Sequence, residues 1–411
     1  MCKNRLHLHI HLCNMENLLA KSAALVQRTP ENFHRYLFDQ VRWNNRLIGI
    51  KGARGTGKTT LILQRLKSMQ ALPTQAAYFS LDDLYFTQNH FSKTVEQFYQ
   101  EGGKTVFLDE VHKYPGWAME VKNLHDFYPD LNIVFTGSSI VDLVKEEGDL
   151  SRRVLMYELQ GLSFREFLDL EGAIKIPVFS LEHLTSRTND FGAAFPVDFR
   201  PLEWFKEYLS RGYYPFFRED REGFHQRLQQ LVRTVVEYDM ATLKGFDPRN
   251  ARKLLQLLYI LSANVPYNPN LTQLAQKADI HRNSVLNYLL YLEQARLIRL
   301  ISPEGRGLSL LQKPEKIYLN NPNLAFALAG ESTNPGTLRE TFFASQVGAV
   351  HRLTAPPKGD FKVDERWLFE IGGVNKTHQQ IADLPESFVV RDGLEFPVGK
   401  SLPLWMFGCL Y

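Results

Sequence analysis

The chain has 411 residues, of which 44% are hydrophobic and 23% charged, with a formal net charge of +3. This composition excludes a disordered tail or a fibre, and the length predicts roughly two to four domains. So small a net charge neither demands nor excludes nucleic acid, because a basic patch can sit within a balanced total. The three cysteines, Cys2, Cys13 and Cys409, form no CxxC pair, which argues against a disulfide framework and for a reducing compartment. No run of about 18 apolar residues and no signal-peptide pattern is present. The expected location is cytoplasmic, with no membrane partner.

In chain order, Leu6–Leu12 alternates histidine with apolar residues. Read as a strand, it would put three imidazoles on one face as metal ligands; read plainly, it is an upstream extension before a helix that starts near Met15. Residues 15–45 are amphipathic and predict helix. Arg46–Lys51 predicts a strand, Thr59–Met69 a helix, Ala76–Leu81 a second strand and Phe91–Gln100 a helix. Thr105–Asp109 is a third strand, Trp117–Phe127 a helix, Asn132–Gly137 a fourth strand and Val154–Leu159 a fifth. Strands alternating with helices predict an α/β fold with a parallel sheet covered on both faces. From about residue 160 to 300 the pattern is mostly helical, with a loop-like stretch near 185–201. Short strand-like pieces return at Lys316–Leu319, Phe361–Val363 and Trp367–Ile371.

Between the first strand and its helix lies Gly52-Ala53-Arg54-Gly55-Thr56-Gly57-Lys58-Thr59, a complete Walker A motif. Its glycines let the backbone curl so that successive N–H groups face phosphate oxygens, and the helix adds its positive end. Lys58 is expected to reach the phosphates of ATP, Thr59 to ligate Mg²⁺, and Thr60 to adjoin the nucleotide. The third strand delivers Asp109 and Glu110 as Walker B, Asp109 to hold Mg²⁺ through water and Glu110 to activate the attacking water as the general base. The fourth strand ends in Thr136-Gly137-Ser138-Ser139, where Ser138 is a candidate contact to the γ-phosphate. Arg153 is a candidate arginine finger, with a surface ion pair as the alternative. A strand between the two Walker motifs and an acid after Asp109 point to the additional-strand class of P-loop NTPases, which includes AAA+ proteins.

Walker A, then Leu108-Asp109-Glu110-Val111-His112, Phe135–Ser139, Arg153 and Leu162-Ser163-Phe164-Arg165-Glu166-Phe167, jointly resemble the AAA+-like bacterial and archaeal ATPases of the AAA-14 type. Tyr208-Leu209-Ser210-Arg211-Gly212-Tyr213-Tyr214-Pro215 is similar to the same family, with Arg211 where a second glycine is usual. The resemblance runs from about residue 20 to the end. It implies ATP binding and hydrolysis, a helix-turn-helix module, and a nuclease-like C-terminal region of the DUF4143 type.

Leu254–Ser262, Asn270–Ala278 and His281–Glu293, followed by the strand Leu297–Ile301, have the spacing of a winged helix-turn-helix. His281, Arg282, Asn283, Ser284 and Asn287 would face a DNA groove; the alternative is a packing or protein-interaction module. Asp360 and Glu370, with Glu340 on a helix, resemble the acids of a PD-(D/E)xK nuclease hairpin. However, Gly372 stands where the lysine belongs, and Lys376, four residues beyond it, could swing in to take its place. The expected domains are therefore 15–160 (P-loop ATPase), 161–250 (helical), 251–305 (winged helix-turn-helix) and 306–411 (degenerate nuclease-like α/β). The leading function is a Mg²⁺-dependent ATPase coupled to duplex DNA, a protein partner or a second copy of the chain. The alternatives are a nucleotide-gated DNA-binding regulator with slow hydrolysis and, less favoured, an ATP-coupled nuclease.

Overall fold

The computed structural model describes residues 2–138, 150, 152–186, 195–196, 198–240, 246–263, 266–267, 269–305, 313–330, 333–374, 376, 381 and 383–411, with side chains from Met15 onward. The chain divides into two compact units, Met1–Gln160 and Gly161–Tyr411. Among the described residues, no helix is long and apolar enough to cross a membrane.

In the first unit, helix α1 spans Cys2–Arg28. The histidine alternation thus lies in helix, and the strand reading of residues 6–12 is overturned. The helix expected over 15–45 also ends early, at Arg28, and resumes only as the short α2, Leu37–Gln40. Pro30 explains the break, since proline cannot continue the hydrogen-bond ladder and pushes the residue before it out of the helical region.

Strands β1 (Leu47–Gly52), β2 (Ala76–Ser80), β3 (Thr105–Asp109), β4 (Asn132–Ser138) and β5 (Leu155–Glu158) form a sheet in the order β2-β3-β4-β1-β5. Every pairing in it is parallel. The strand inserted in space between the P-loop strand β1 and the Walker B strand β3 is β4, while β2 stands at the edge. This is the additional-strand order. Side chains of a strand alternate between faces, and the two resulting apolar layers are distinct. Ile48, Ile50, Tyr78, Phe107 and Val134 pack with Leu61, Ile62 and Leu66 of α3 (Lys58–Ser68). Ala77, Phe79, Val106, Leu108, Ile133 and Phe135 pack with α4 (Phe91–Gln100) and α5 (Trp117–Phe127). Residues buried on both faces explain why these strands read as continuous apolar runs.

The second unit opens on Leu162–Phe167. Ser163 caps the helix Phe164–Leu170, its hydroxyl accepting from the Glu166 N–H while the Glu166 carboxylate accepts from the Ser163 N–H. This is a capping box. The Ser163 hydroxyl also donates to the Tyr411 carbonyl at 2.8 Å, and the Arg165 guanidinium donates to the same oxygen at 2.8 Å. The motif therefore ties the start of this unit to residue 411. The Tyr208–Pro215 motif is structural as well. Asn323 accepts from the Tyr213 N–H at 2.8 Å and donates to the carbonyls of Tyr208 and Leu209 at 3.0 and 2.9 Å. Asn321 donates to the Tyr214 hydroxyl at 3.1 Å.

Further along come the helices Ala251–Ser262, Leu271–Lys277 and Arg282–Gln294, then β6 (Ile298–Ile301) and β7 (Lys316–Leu319), which pair antiparallel. Tyr267, between the first two of these helices, bridges antiparallel to Ile317. Pairing of β6 with β7 crosses the boundary expected at 305. The last sheet has the order β12-β11-β10-β9-β8, made of β8 (Leu353–Thr354), β9 (Phe361–Val363), β10 (Trp367–Gly372), β11 (Ser387–Arg391) and β12 (Ser401–Pro403). Phe343, on the helix Pro335–Val347, packs its ring against Phe361, Phe369 and Phe407.

Candidate nucleotide site

The P-loop lies between β1 and α3. Gly55 and Gly57 have φ of 82° and 95°, the left-handed region that side chains disfavour. A Cβ at Gly52 would stand 2.4 Å from the Leu159 carbonyl oxygen, so only glycine lets the strand end pass there. Thr56 is buried, and its hydroxyl donates to the Ala53 carbonyl at 2.9 Å. Arg54 and Thr60 are exposed. Lys58 is 6% exposed, and its ammonium donates to the carbonyls of Gly52 and Ala53 at 3.1 and 3.0 Å. Arg35 was not foreseen. Its buried guanidinium donates to the Thr56 carbonyl and, at 2.8 Å, to that of Gln160, bracing the loop from behind.

The Asp109 carboxylate accepts four hydrogen bonds. Oδ2 accepts from the Thr59 hydroxyl at 2.7 Å and from the Tyr78 hydroxyl at 2.8 Å. Oδ1 accepts from the Thr136 hydroxyl and from the Glu110 N–H at 3.1 Å. Register explains the convergence: β2 lies beside β3 with Ser80 opposite Asp109, so Tyr78, two residues back, shares the face of Asp109. Burial and the Asp109 charge together push the Tyr78 hydroxyl far above its ordinary pKa. Tyr78 carried no sequence signal beyond an aromatic in a strand.

Glu110 has φ 54°, a left-handed conformation that costs a non-glycine residue on the order of 1 kcal/mol and clusters at functional sites. Desolvation raises its pKa above the usual carboxylate value and the Asp109 charge adds to that, while Lys58 and Arg54 oppose it. Its Oε2 lies 3.3 Å from Nε2 of His112, whose side chain is 6% exposed. Ser138 offers its backbone N–H to Nδ1 of the same ring at 3.3 Å. Ser139 lies outside the described residues. Arg153 grips Asp126 of α5 with two hydrogen bonds, at 2.7 and 2.9 Å. The site thus gathers Lys58, Thr59, Asp109, Glu110 and Thr136, together with the unforeseen Tyr78 and His112.

The acids of the C-terminal sheet are met by lysines. Lys376 donates to Glu370 Oε1 at 2.5 Å, while Glu370 Oε2 is buried with no hydrogen-bond partner among the described residues. Lys316 lies 3.3 Å from Asp360 and 4.0 Å from Glu340. Among the described residues, no three His, Cys, Asp or Glu side chains group as a metal-binding set. Arg282, Asn283 and Asn287 are exposed, as is His281, whose Nδ1 accepts from the Asn283 N–H at 3.4 Å; Ser284 is half-buried.

Residues 44–168 match the family model of an AAA domain, AAA_14, and residues 202–334 match that of a domain of unknown function, DUF8612. The second match falls where the motifs resembled the DUF4143 type, and that finer resemblance is not shown. The uncharacterized protein MJ1637 of Methanocaldococcus jannaschii is 27% identical over 323 residues, covering 73% of this chain and 68% of the relative. Among solved structures, AMPPCP-bound DnaA from Aquifex aeolicus is 16% identical with a TM-score of 0.27, covering 63% of this chain and 85% of its own. PCH-2 of C. elegans is 14% identical with a TM-score of 0.25, covering 68% and 67%.

Proposed function

We propose that the chain is a Mg²⁺-dependent ATPase of the AAA+-like type. The observation that carries this reading is the 2.7 Å bond from Thr59 to Asp109, which brings the first residues of the P-loop helix and the end of the Walker B strand together as hard oxygen donors. Such a pair fits Mg²⁺, which favours carboxylate and hydroxyl oxygens. In this reading the P-loop N–H groups and Lys58 hold the phosphates of ATP, and Thr59 and Asp109 hold the ion. Mg²⁺ supplies charge neutralisation at the phosphates. Glu110, the carboxylate next to Asp109, orients and deprotonates the attacking water. Ser138 at the β4 tip is a phosphate-side contact. Arg153 would act as a finger only after leaving Asp126.

The test is steady-state phosphate release by wild type and Glu110→Gln with Mg²⁺ and duplex DNA titrated. Turnover dependent on Mg²⁺ and Glu110 is expected. Equal turnover in both proteins would overturn the base assignment.

A second reading, a nucleotide-gated DNA-binding regulator, is favoured by one observation. The bridge from Tyr267 to Ile317 and the β6–β7 pair fit a winged helix-turn-helix in which Arg282–Gln294 is the recognition helix, its exposed Arg282, Asn283 and Asn287 able to meet base edges. A salt-sensitive duplex affinity that changes with ATP would support it. For the C-terminal sheet, the reading stays a structural, degenerate nuclease-like domain because Gly372 stands where the lysine belongs, although Lys376 does reach Glu370.

A further inference from the structure

We propose that His112 is a positioning residue that fixes the Glu110 carboxylate and ties it to the tip of β4. This role rests on the ATPase reading above.

His112 lies in the single turn Val111–Lys113 that follows Glu110, with its side chain almost fully buried. Its two ring nitrogens face different partners. On one side the Ser138 N–H points at Nδ1, at 3.3 Å. A backbone N–H only donates, so Nδ1 must be the unprotonated, accepting nitrogen. The proton of the neutral ring is then on Nε2, the nitrogen that faces Glu110 Oε2 at 3.3 Å. A single neutral tautomer suits both contacts: Nδ1 accepts from Ser138, and the protonated Nε2 is the nitrogen that stands beside the carboxylate. The other neutral tautomer would set an N–H against the Ser138 N–H and a lone pair against the carboxylate. An imidazolium would likewise lose the Ser138 contact.

The left-handed backbone of Glu110 gives this contact its importance. Glu110 has left the strand, so the sheet no longer aims its side chain, and the Coulomb pull of Lys58 and Arg54 is not directional. The buried imidazole stands 3.3 Å from the carboxylate as a polar neighbour held in place by Ser138. It also connects both Walker B acids to one element. Thr136 of β4 donates directly to Asp109, and Ser138 of β4 reaches Glu110 through His112. A change at the β4 tip, where the γ-phosphate is expected, would therefore be felt at the base by way of the ring.

The test compares His112→Ala, His112→Gln and His112→Asn in the full chain. A glutamine places an amide N–H near the position of Nε2; an asparagine reaches only as far as Nδ1. His112→Ala is expected to lower kcat about 10- to 100-fold with the affinity for ATP unchanged within about twofold. Glutamine should restore most of the rate and asparagine should not. In the nucleotide-free wild type, ¹⁵N spectra of histidine-labelled protein should show His112 with an unprotonated Nδ1 and a protonated Nε2, and Glu110→Ala should shift the Nε2 signal. Unchanged kcat in His112→Ala, failure of glutamine to rescue a folded variant, or the opposite tautomer would each overturn the role while leaving the ATPase reading intact. Absence of phosphate release by the wild type would overturn that reading, and this role with it.

Discussion

The Tyr78 hydroxyl donates to Asp109 at 2.8 Å, on the same carboxylate oxygen that accepts from Thr59. Two donors converging on one oxygen fix the carboxylate plane before any ion binds. Tyr78→Phe removes one of them. It should raise the Mg²⁺ concentration for half-maximal turnover several-fold and lower stability by about 1 kcal/mol, the net worth of a buried hydrogen bond. Magnesium titrations of phosphate release and thermal melts check both.

Lys58 presents the site's buried ammonium, now resting on two P-loop carbonyls. Lys58→Ala should abolish nucleotide binding, measured by calorimetry with a non-hydrolysable ATP analogue, whereas Glu110→Gln should bind it at near wild-type affinity. Comparable analogue affinity in Lys58→Ala and wild type would remove the phosphate role.

Arg35 is buried and donates to two main-chain carbonyls, Thr56 in the P-loop and Gln160. Hydrogen bonds from a charged donor are worth about 1.5–3 kcal/mol each. Arg35→Ala should therefore destabilise the first unit by about 3 kcal/mol and weaken nucleotide binding, since the loop loses its brace. Denaturant unfolding followed at a probe in this unit tests the first effect. A loss below about 0.5 kcal/mol would contradict it.

Asn323 satisfies the Tyr213 N–H and the carbonyls of Tyr208 and Leu209, all well inside the second unit. Asn323→Ala leaves the buried Tyr213 N–H without this acceptor and takes one donor from each of the two carbonyls, of which Tyr208 keeps the Gly212 N–H, and should cost about 2–3 kcal/mol. Asn287→Ala, at an exposed position, should stay within about 0.5 kcal/mol. Chemical denaturation of the two variants separates them.

Burial, reinforced by the nearby Asp360 charge, raises the Glu340 pKa above its ordinary value, while Tyr318 and Lys316 oppose the shift. A raised folded pKa means that the fold favours the protonated acid. The stability this contributes is present below the ordinary carboxylate pKa and is lost as pH rises through the raised value. Glu340→Gln should therefore gain Tm relative to wild type at pH 8 and lose that advantage at acid pH. An unchanged Tm difference from pH 4 to pH 8 would refute the linkage.

Much of the first unit was legible because its signals are local. Lys316–Leu319 and Phe361–Val363 in the second unit, and Phe91–Gln100 and Trp117–Phe127 in the first, fall where apolar periodicity puts them. Local pattern failed where it competed with another local rule. The histidine alternation suggested a strand, yet those residues lie within a longer helix. Pro30 ends the helix at Arg28 although the apolar periodicity runs on past it. The Leu162–Phe167 and Tyr208–Pro215 motifs carried the family resemblance without revealing their work. One caps a helix and binds residue 411, and the other is stitched to Asn321 and Asn323, more than a hundred residues later in the chain.

By itself, the sequence determined the glycine-rich Walker A loop, the two Walker B acids and the alternation of strands and helices. Those depend on spacing along the chain: glycines that permit left-handed turns, and an apolar run that delivers Asp109 to a strand end. Only the tertiary structure decided that β4 rather than β2 stands between the Walker strands, that Tyr78 and His112 join the site, and that lysines lie on the C-terminal acids. Each of these depends on which strands pair and in what register. Pairing sets side chains distant in sequence within hydrogen-bond reach, and no local pattern encodes that distance.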